Sequence, residues 1–391
     1  MTAQPSAGSE AEATPDRAAL AGQGNGAAGE PAGRPLPDAR TLEADGAAWD
    51  DFVEGSAQAT WLQTTPWAAV KRPNGWSAVR AAVDFDGPDG PVPVGAQILV
   101  RRVRGLPWGL GYVPRGPVGM PTEPAAAGRA LLAFSGRLRE VARQHRLAEV
   151  LIEPEVLAGQ GVEELLAGAG WRPVRRIQWH RTRLVDLRRP EEELWQEMHR
   201  KARQSVTKAR RLGVRVVTAG GERLEDYHRI YSDSAARAGM FARSADSFRV
   251  LWDELAPRGM VHLSFAELEE SGEPVATLLL TSAGGRAFDM YGGTLVAGEK
   301  RRANYLLKWE ALARCKEQGF HEYDLWGLPH SGIAQFKAGF GGTEVTFIGA
   351  WSLATDRLGS SVLSAGLKAR AAYVRLRYGG KGVYEGSPTT E

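Results

Sequence analysis

A chain of 391 residues with 43% hydrophobic and 24% charged side chains is long and apolar enough to bury two separate cores. Its single cysteine, Cys315, excludes a disulfide framework and a cysteine-rich metal site, and the seven histidines form no pair at helical ligand spacing, so no metal is expected. A net charge of +3 leaves any affinity for polyanions to local clusters; with no apolar run long enough to span a membrane and no secretory leader pattern at the start, a cytoplasmic protein is expected.

Residues 1–40 are rich in Ala, Gly, Pro and acids and nearly devoid of large apolar side chains, the composition of a disordered tail. Order is expected from Trp49, Phe52 and Val53, through Trp61-Leu62-Gln63 to Trp67. Ser77–Phe85 and Gly95–Val103 read as a hairpin turned by Asp86-Gly87-Pro88-Asp89-Gly90. Then come a helix over Ala125–His145, a short buried strand over Glu149–Pro154, a helix over Val162–Ala169 and a strand over Ile177–Val185. The order restarts with a helix over Glu191–Leu212 closed by Gly213, a strand over Val214–Val217, and helices over Leu224–Arg237 and Ser247–Leu255. A second hairpin, Val261–Leu268 with Pro274–Ser282, is extended by Arg286–Tyr291, then a helix over Ala303–Gln318 and a buried strand over His321–Leu325. Each half runs helix, antiparallel hairpin, helix, strand. The fold class is therefore α/β (α+β), two similar units in tandem, 41–185 and 186–348, with the boundary near Asp186.

Three segments carry chemistry. Arg200, Lys201, Arg203, Lys208, Arg210 and Arg211, with Arg215 just beyond, put cations on several faces of one helix without an acid, a density that attracts phosphate or RNA; the plainer alternative is a solvated face paired with Glu191-Glu192-Glu193. In Leu106–Val118 the glycines and prolines mark irregular backbone, and Arg115, between Pro114 and Gly116, is either a fixed cation beside a ligand or a surface arginine on a structural turn. In Gln335-Phe336-Lys337-Ala338-Gly339-Phe340-Gly341-Gly342, Lys337 is a candidate cleft cation able to stabilise developing negative charge; the plainer alternative is a snorkelling lysine in a hairpin turn. No nucleophile elbow, no Cys with a His partner and no P-loop is present. The two matches to a coenzyme A pyrophosphate loop, at Gln23–Ala28 and Arg377–Gly382, lack the strand-to-helix context that binding needs, so no coenzyme A is expected.

In order, Trp61-Leu62-Gln63 to Lys71, Tyr112-Val113-Pro114-Arg115-Gly116-Pro117, Lys201-Ala202-Arg203 to Gly213, Arg243, Ala303-Asn304-Tyr305-Leu306-Leu307-Lys308-Trp309, and Tyr323-Asp324-Leu325-Trp326-Gly327 through Gly342 resemble the Fem family of peptidoglycan interpeptide-bridge enzymes over about Ala48–Trp351. The resemblance implies two GNAT-like domains without coenzyme A, with 349–391 returning to complete the first. It implies an aminoacyl-tRNA donor, a lipid II or UDP-MurNAc-pentapeptide acceptor and a monomer. Lys71 and Arg243 correspond to residues that hold the precursor's phosphates, with Tyr112, Arg115, Tyr291 and Asn304 lining substrate, and Lys337 with Phe336 supports acyl transfer. Arg200, Lys201, Arg203, Lys208 and Arg211 would contact tRNA or other phosphates. No charged heptad pair lies between Leu224 and Met260, so the likeness is to the compact, arm-less branch, and glycine is the favoured residue transferred, with alanine and serine open. Aminoacylation of a small molecule in antibiotic biosynthesis and a non-enzymatic RNA-binding module are the competing readings. The segment Leu358–Arg377, with Lys368, Arg370, Arg375 and Arg377, is either a basic amphipathic helix on the inner membrane leaflet or a helix packed on the first domain.

Overall fold

The computed structural model describes residues 37–87, 90–329 and 332–366. Helices α1 (Ala39–Ala44), α2 (Gly46–Gly55) and α3 (Thr65–Lys71) lead into strands β1 (Trp76–Gly87), β2 (Gly90–Arg102) and β3 (Gly109–Val113). Next come α4 (Pro124–Gln144), β4 (Leu147–Ile152), α5 (Val162–Gly168), β5 (Arg172–Val174) and β6 (Arg181–Asp186). Helices α6 (Glu191–Glu197) and α7 (Arg200–Arg211), strand β7 (Val214–Ala219), and helices α8 (Leu224–Arg237) and α9 (Ala245–Leu255) open the second half. They are followed by β8 (Val261–Leu268), β9 (Pro274–Ala283), β10 (Arg286–Thr294), α10 (Val296–Lys300), α11 (Ala303–Glu317), β11 (Glu322–Asp324), α12 (Gly332–Ala338), β12 (Thr343–Thr346) and β13 (Ala350–Ala354).

The strands form two sheets, ordered β1-β2-β3-β4-β13-β5 and β12-β6-β11-β10-β9-β8-β7. Each is built around one parallel pair, β3 with β4 and β10 with β11, and in each the helix linking the pair, α4 or α11, packs across the sheet. The halves exchange strands. β13, from beyond the second sheet, lies antiparallel to β4, while β6, from before it, lies antiparallel to β11. The strand expected over Ile177–Val185 in the first unit thus pairs in the second sheet. Its alternation fits either sheet, because burial on one face reports a period and not a partner.

Two local expectations also change. The single helix expected over Glu191–Leu212 is broken at Met198 and His199, where ψ turns to 142° and 139°. The break buries Met198 in the second core and lets the His199 amide donate to the carbonyl of Gly339 at 2.9 Å, so tertiary contact overrides helix propensity. The Gly- and Pro-rich run before Pro114 contains strand β3, and residues 37–40 of the expected tail lead into α1, whose N-cap Asp38 accepts from the Thr41 amide at 2.8 Å.

The three largest apolar groups among the described residues hold this together. One lies between α4 and the first sheet, a second between α7, α11 and the second sheet. The third joins Trp61, Trp67, Trp76 and Leu99 from the first half to Tyr227, Phe248, Leu263 and Trp326 from the second. Of the segment Leu358–Arg377, only residues to 366 are described. There Leu363 is buried and a Cβ on Gly359 would meet Trp108 and Ala148, so this part packs on the first sheet. Among the described residues no helix is long and apolar enough to cross a membrane.

Candidate active site at the junction of the two sheets

The parallel pairing of β10 with β11 lasts for only three residue pairs, ending at Phe288 and Asp324. Beyond it the strands part. β10 carries an irregularity between Asp289 and Tyr291, which sends Asp289 to the α11 side and packs both Met290 and Tyr291 with the junction group. Past the end of β11, Trp326 (φ 45°) and Gly327 (φ 71°) are successive left-handed residues. A side chain at Gly327 would meet the Trp179 ring 2.5 Å away. Holding a tryptophan in the left-handed region costs about 1–3 kcal/mol, and such strain collects at functional sites.

The strained turn directs two carbonyls at one ammonium. Lys337, on α12 and not in a hairpin turn, donates to the carbonyl of Trp326 and, at 3.0 Å, to that of Gly327. A lysine has three donors, so one remains for a ligand. Burial lowers its pKa to about 8, with Lys308 adding to the depression and Asp289 and Asp324 opposing it, so Lys337 is cationic at neutral pH and easily discharged above it. Phe336 packs edge-on against Tyr305 at 4.8 Å and Phe340 at 5.2 Å, and Asn304 immediately precedes Tyr305 on α11. Beneath this layer Lys308 donates to Asp289, which also accepts from the Tyr323 hydroxyl at 2.9 Å. The sequence reading missed this buried network; a lysine and an aspartate on opposite elements give no local signal.

A second group of cations lies where α3, β2 and the α8–α9 turn meet. Lys71 sits 5.4 Å above the Trp67 ring, Arg101 5.5 Å from Trp76, and Arg243 5.5 Å from Tyr291. Lys71 is close enough to Arg243 and Arg101 that their charges, after burial, lower its pKa to about 8. None of the three forms an ion pair with a carboxylate among the described residues. The indole N–H groups of Trp67 and Trp76 also find no acceptor among the described residues. The surroundings offer positive charge and donors without a matching anion. Arg101 had no sequence signal, being one of several arginines at the end of a strand.

Other predicted residues serve the fold. Arg115 (φ 50°) is 2% exposed, donates to Glu155 at 3.1 Å and to the Trp179 carbonyl at 2.9 Å, and lies 4.3 Å from the Trp326 ring. Glu155 also receives Arg286 of β10 at 2.9 Å, so this carboxylate ties the two sheets together. The cation expected beside a ligand is already neutralised inside the protein. Tyr112 likewise commits its hydroxyl, donating to Glu153 at 2.5 Å and accepting from Gln178 at 3.0 Å.

On α7 the buried residues are Ala202, Val206 and Ala209. At 100° per residue Arg200, Lys201, Lys208 and Arg211 fall on one opposite stripe, all exposed and outside any ion pair among the described residues. Arg203 instead folds back onto the Gln196 carbonyl at 2.7 Å, and Arg210 pairs with Glu310 at 2.6 Å. The stripe begins beside the Lys337 segment, since His199 contacts Gly339 and a Cβ on Gly339 would lie 3.3 Å from that of Ala202.

Residues 196–338 match the family of acetyltransferase (GNAT) domains. The chain is 27% identical over 230 residues to a lipid II:glycine glycyltransferase of Staphylococcus haemolyticus (strain JCSC1435), and 28% identical to one of Staphylococcus aureus (strain USA300); each alignment covers 56% of this chain and 53% of the relative. It thus spans about half the length of the curated relatives it matches. In fold it resembles the crystal structure of FemX, with a TM-score of 0.72 at 21% identity over 81% of this chain and 98% of that one. A conserved protein of unknown function from Bacteroides thetaiotaomicron follows the same course at a TM-score of 0.52 and 12% identity, covering 81% of this chain and 98% of that one. Paired sheets of this topology and the acetyltransferase-domain match across the second show a GNAT-like fold, and over about half of its length the sequence is similar to the lipid II:glycine glycyltransferases.

Proposed function

We propose that the chain transfers an aminoacyl group, glycine first and alanine or serine otherwise, from aminoacyl-tRNA to the side-chain amine of the diamino acid in a peptidoglycan precursor. The observation that carries this is a set of three cations, Lys71 with Arg243 and Arg101 close enough to repel it, none of them paired with a carboxylate among the described residues. A pyrophosphate, the group that lipid II and its nucleotide-linked counterpart share, removes that repulsion and satisfies the donors. The glycyltransferases that the chain resembles are named for lipid II, which supports the same acceptor.

The donor is placed on the stripe Arg200, Lys201, Lys208 and Arg211, whose first turn adjoins the Lys337 segment. In the reaction the acceptor amine adds to the ester carbonyl, forming a C–N bond and an oxyanion. Collapse then breaks the bond to the ribose oxygen. The amine loses one proton and the departing ribose oxygen gains one, so protons balance without a net change on the protein. Lys337, with one donor unused by Trp326 and Gly327, stabilises the oxyanion more than the neutral ester. The reaction needs neither coenzyme A nor a metal.

The test is transfer from purified glycyl-, alanyl- and seryl-tRNA to lipid II and to UDP-MurNAc-pentapeptide. Glycine incorporation that requires the acceptor's diamino acid is expected. Failure with all three donors, or equal transfer to an amine lacking phosphate, overturns the reading.

A further inference from the structure

α8 ends in a left-handed Gly239 (φ 66°), whose amide bonds to Ala236 while that of Met240 bonds to Ala235 at 2.8 Å. In this helix stop the residue after the glycine, if apolar, ordinarily folds back on the helix. Here Met240 stays 48% exposed and the next residue, Phe241, 68% exposed, more than any other large apolar side chain among the described residues. The exposure does not come from a slack loop. The turn is pinned at one end by the Met240–Ala235 bond and at the other by His228 Nε2, which donates to the Arg243 carbonyl at 2.9 Å.

Cations lie on the turn and on the helices next to it. Arg243 is two residues away, Arg72 follows α3, and Arg249 lies on α9, which packs on α3. Arg72 and Arg249 are exposed and carry no ion pair among the described residues, and Asp246 is the acid in the stretch 238–250. Adjacent exposed Phe and Met on a pinned turn, with arginines on the turn and on the helices packed next to it, match the two components of an anionic bilayer surface, an acyl boundary and phosphate headgroups.

We propose that the Met240–Phe241 turn is a membrane-docking wedge that inserts into anionic lipid beside the Lys71–Arg101–Arg243 cluster. It rests on the reading above in taking a lipid-carried acceptor, whose pyrophosphate lies at the headgroup level where that cluster then sits. An RNA partner would make little use of the apolar tip when the unpaired stripe on α7 stands free.

The experiment uses the full chain and sedimentation with vesicles of phosphatidylcholine alone or containing one quarter phosphatidylglycerol, without donor or acceptor. Binding to the anionic vesicles is expected, and Phe241→Ser with Met240→Ser should weaken it on the order of tenfold or more. Cys315 is buried, so an environment-sensitive dye on Ala242→Cys reports the turn selectively and should brighten with those vesicles. The double serine variant should keep transfer to UDP-MurNAc-pentapeptide, since neither side chain touches the proposed site, and lose it towards lipid II in vesicles. Unchanged vesicle binding by the serine variant, a silent dye, or a loss of tRNA binding in place of lipid binding overturns the wedge. If the wild type transfers glycine while the wedge tests fail, this inference falls alone. If the turn inserts but no donor is used, the transferase reading falls alone.

Discussion

Two regions of the molecule present arginine and lysine in similar sequence surroundings, aromatic and glycine-rich, yet differ in how those charges are matched. Around Arg115 the counter-charge is internal: Glu155 accepts from Arg115 and Arg286 with all three side chains shut from water, and Trp326 and Phe347 cover the guanidinium at 4.3 and 5.0 Å. Around Lys71 the matching is absent, with Arg101 and Arg243 as neighbours and no carboxylate. Burial of charge is tolerated when its partner is inside the protein, and it is poised for binding when the partner must arrive from outside. The first region therefore ties the two sheets together, and the second is the one proposed to take a ligand.

The largest effect should fall on the matched region. Glu155→Gln leaves the buried Arg115 guanidinium without its carboxylate, while Arg286 keeps Glu322 at 2.6 Å, and should cost about 3–5 kcal/mol in urea unfolding, whereas a loss within about 1 kcal/mol would mean that the pair is dispensable. Lys337→Met should lower turnover on the order of a hundredfold with little change in acceptor affinity, because its remaining donor is used mainly in the transition state; near-normal turnover removes it from the chemistry.

Smaller effects should separate the unmatched cations from both. Lys71→Met, Arg101→Met and Arg243→Met should each weaken acceptor binding by about tenfold in calorimetry with turnover at saturation preserved, since phosphate anchors act on ground and transition states alike. A drop in turnover without a drop in affinity would contradict the anchoring role. Affinity should also fall as pH rises from 7 to 9. The Lys71 ammonium, with its pKa lowered to about 8, is lost through that range, and a bound anion favours the charged form; Lys71→Arg should flatten the profile. The smallest change is expected on α7. Removing the charge at Lys208 or Arg211 should reduce the slope of log affinity for tRNA against log salt by about 0.7–0.9 each, while the same change at the already paired Arg210 should do less.

Much of the fold was legible. The hairpins β1–β2 and β8–β9, the long helices α4 and α11 and the buried strands β4 and β11 stand in the alternation, in the turn residues and in the 3.6-residue period. The break at Met198 was not, because an unbroken pattern of good helix formers ran through it and the contact that decides it, His199 with Gly339, spans 140 residues. At the site, Lys71, Arg243 and Lys337 could be named through the family resemblance. Arg101 and the Lys308–Asp289–Tyr323 network could not, and Arg115, named through the same resemblance, is buried and paired with Glu155.

By itself the sequence determined the two-unit plan, the elements of each unit and the short list of cations among which the chemistry must be sought, since these follow from local periodicity, turn chemistry and residue type. Only the tertiary structure decided which strand completes which sheet, and which of those cations already has its counter-charge. Both depend on partners brought together across the chain, β13 with β4 and Glu155 with Arg286, and neither a strand's period nor an arginine's neighbours in sequence records who stands opposite in space.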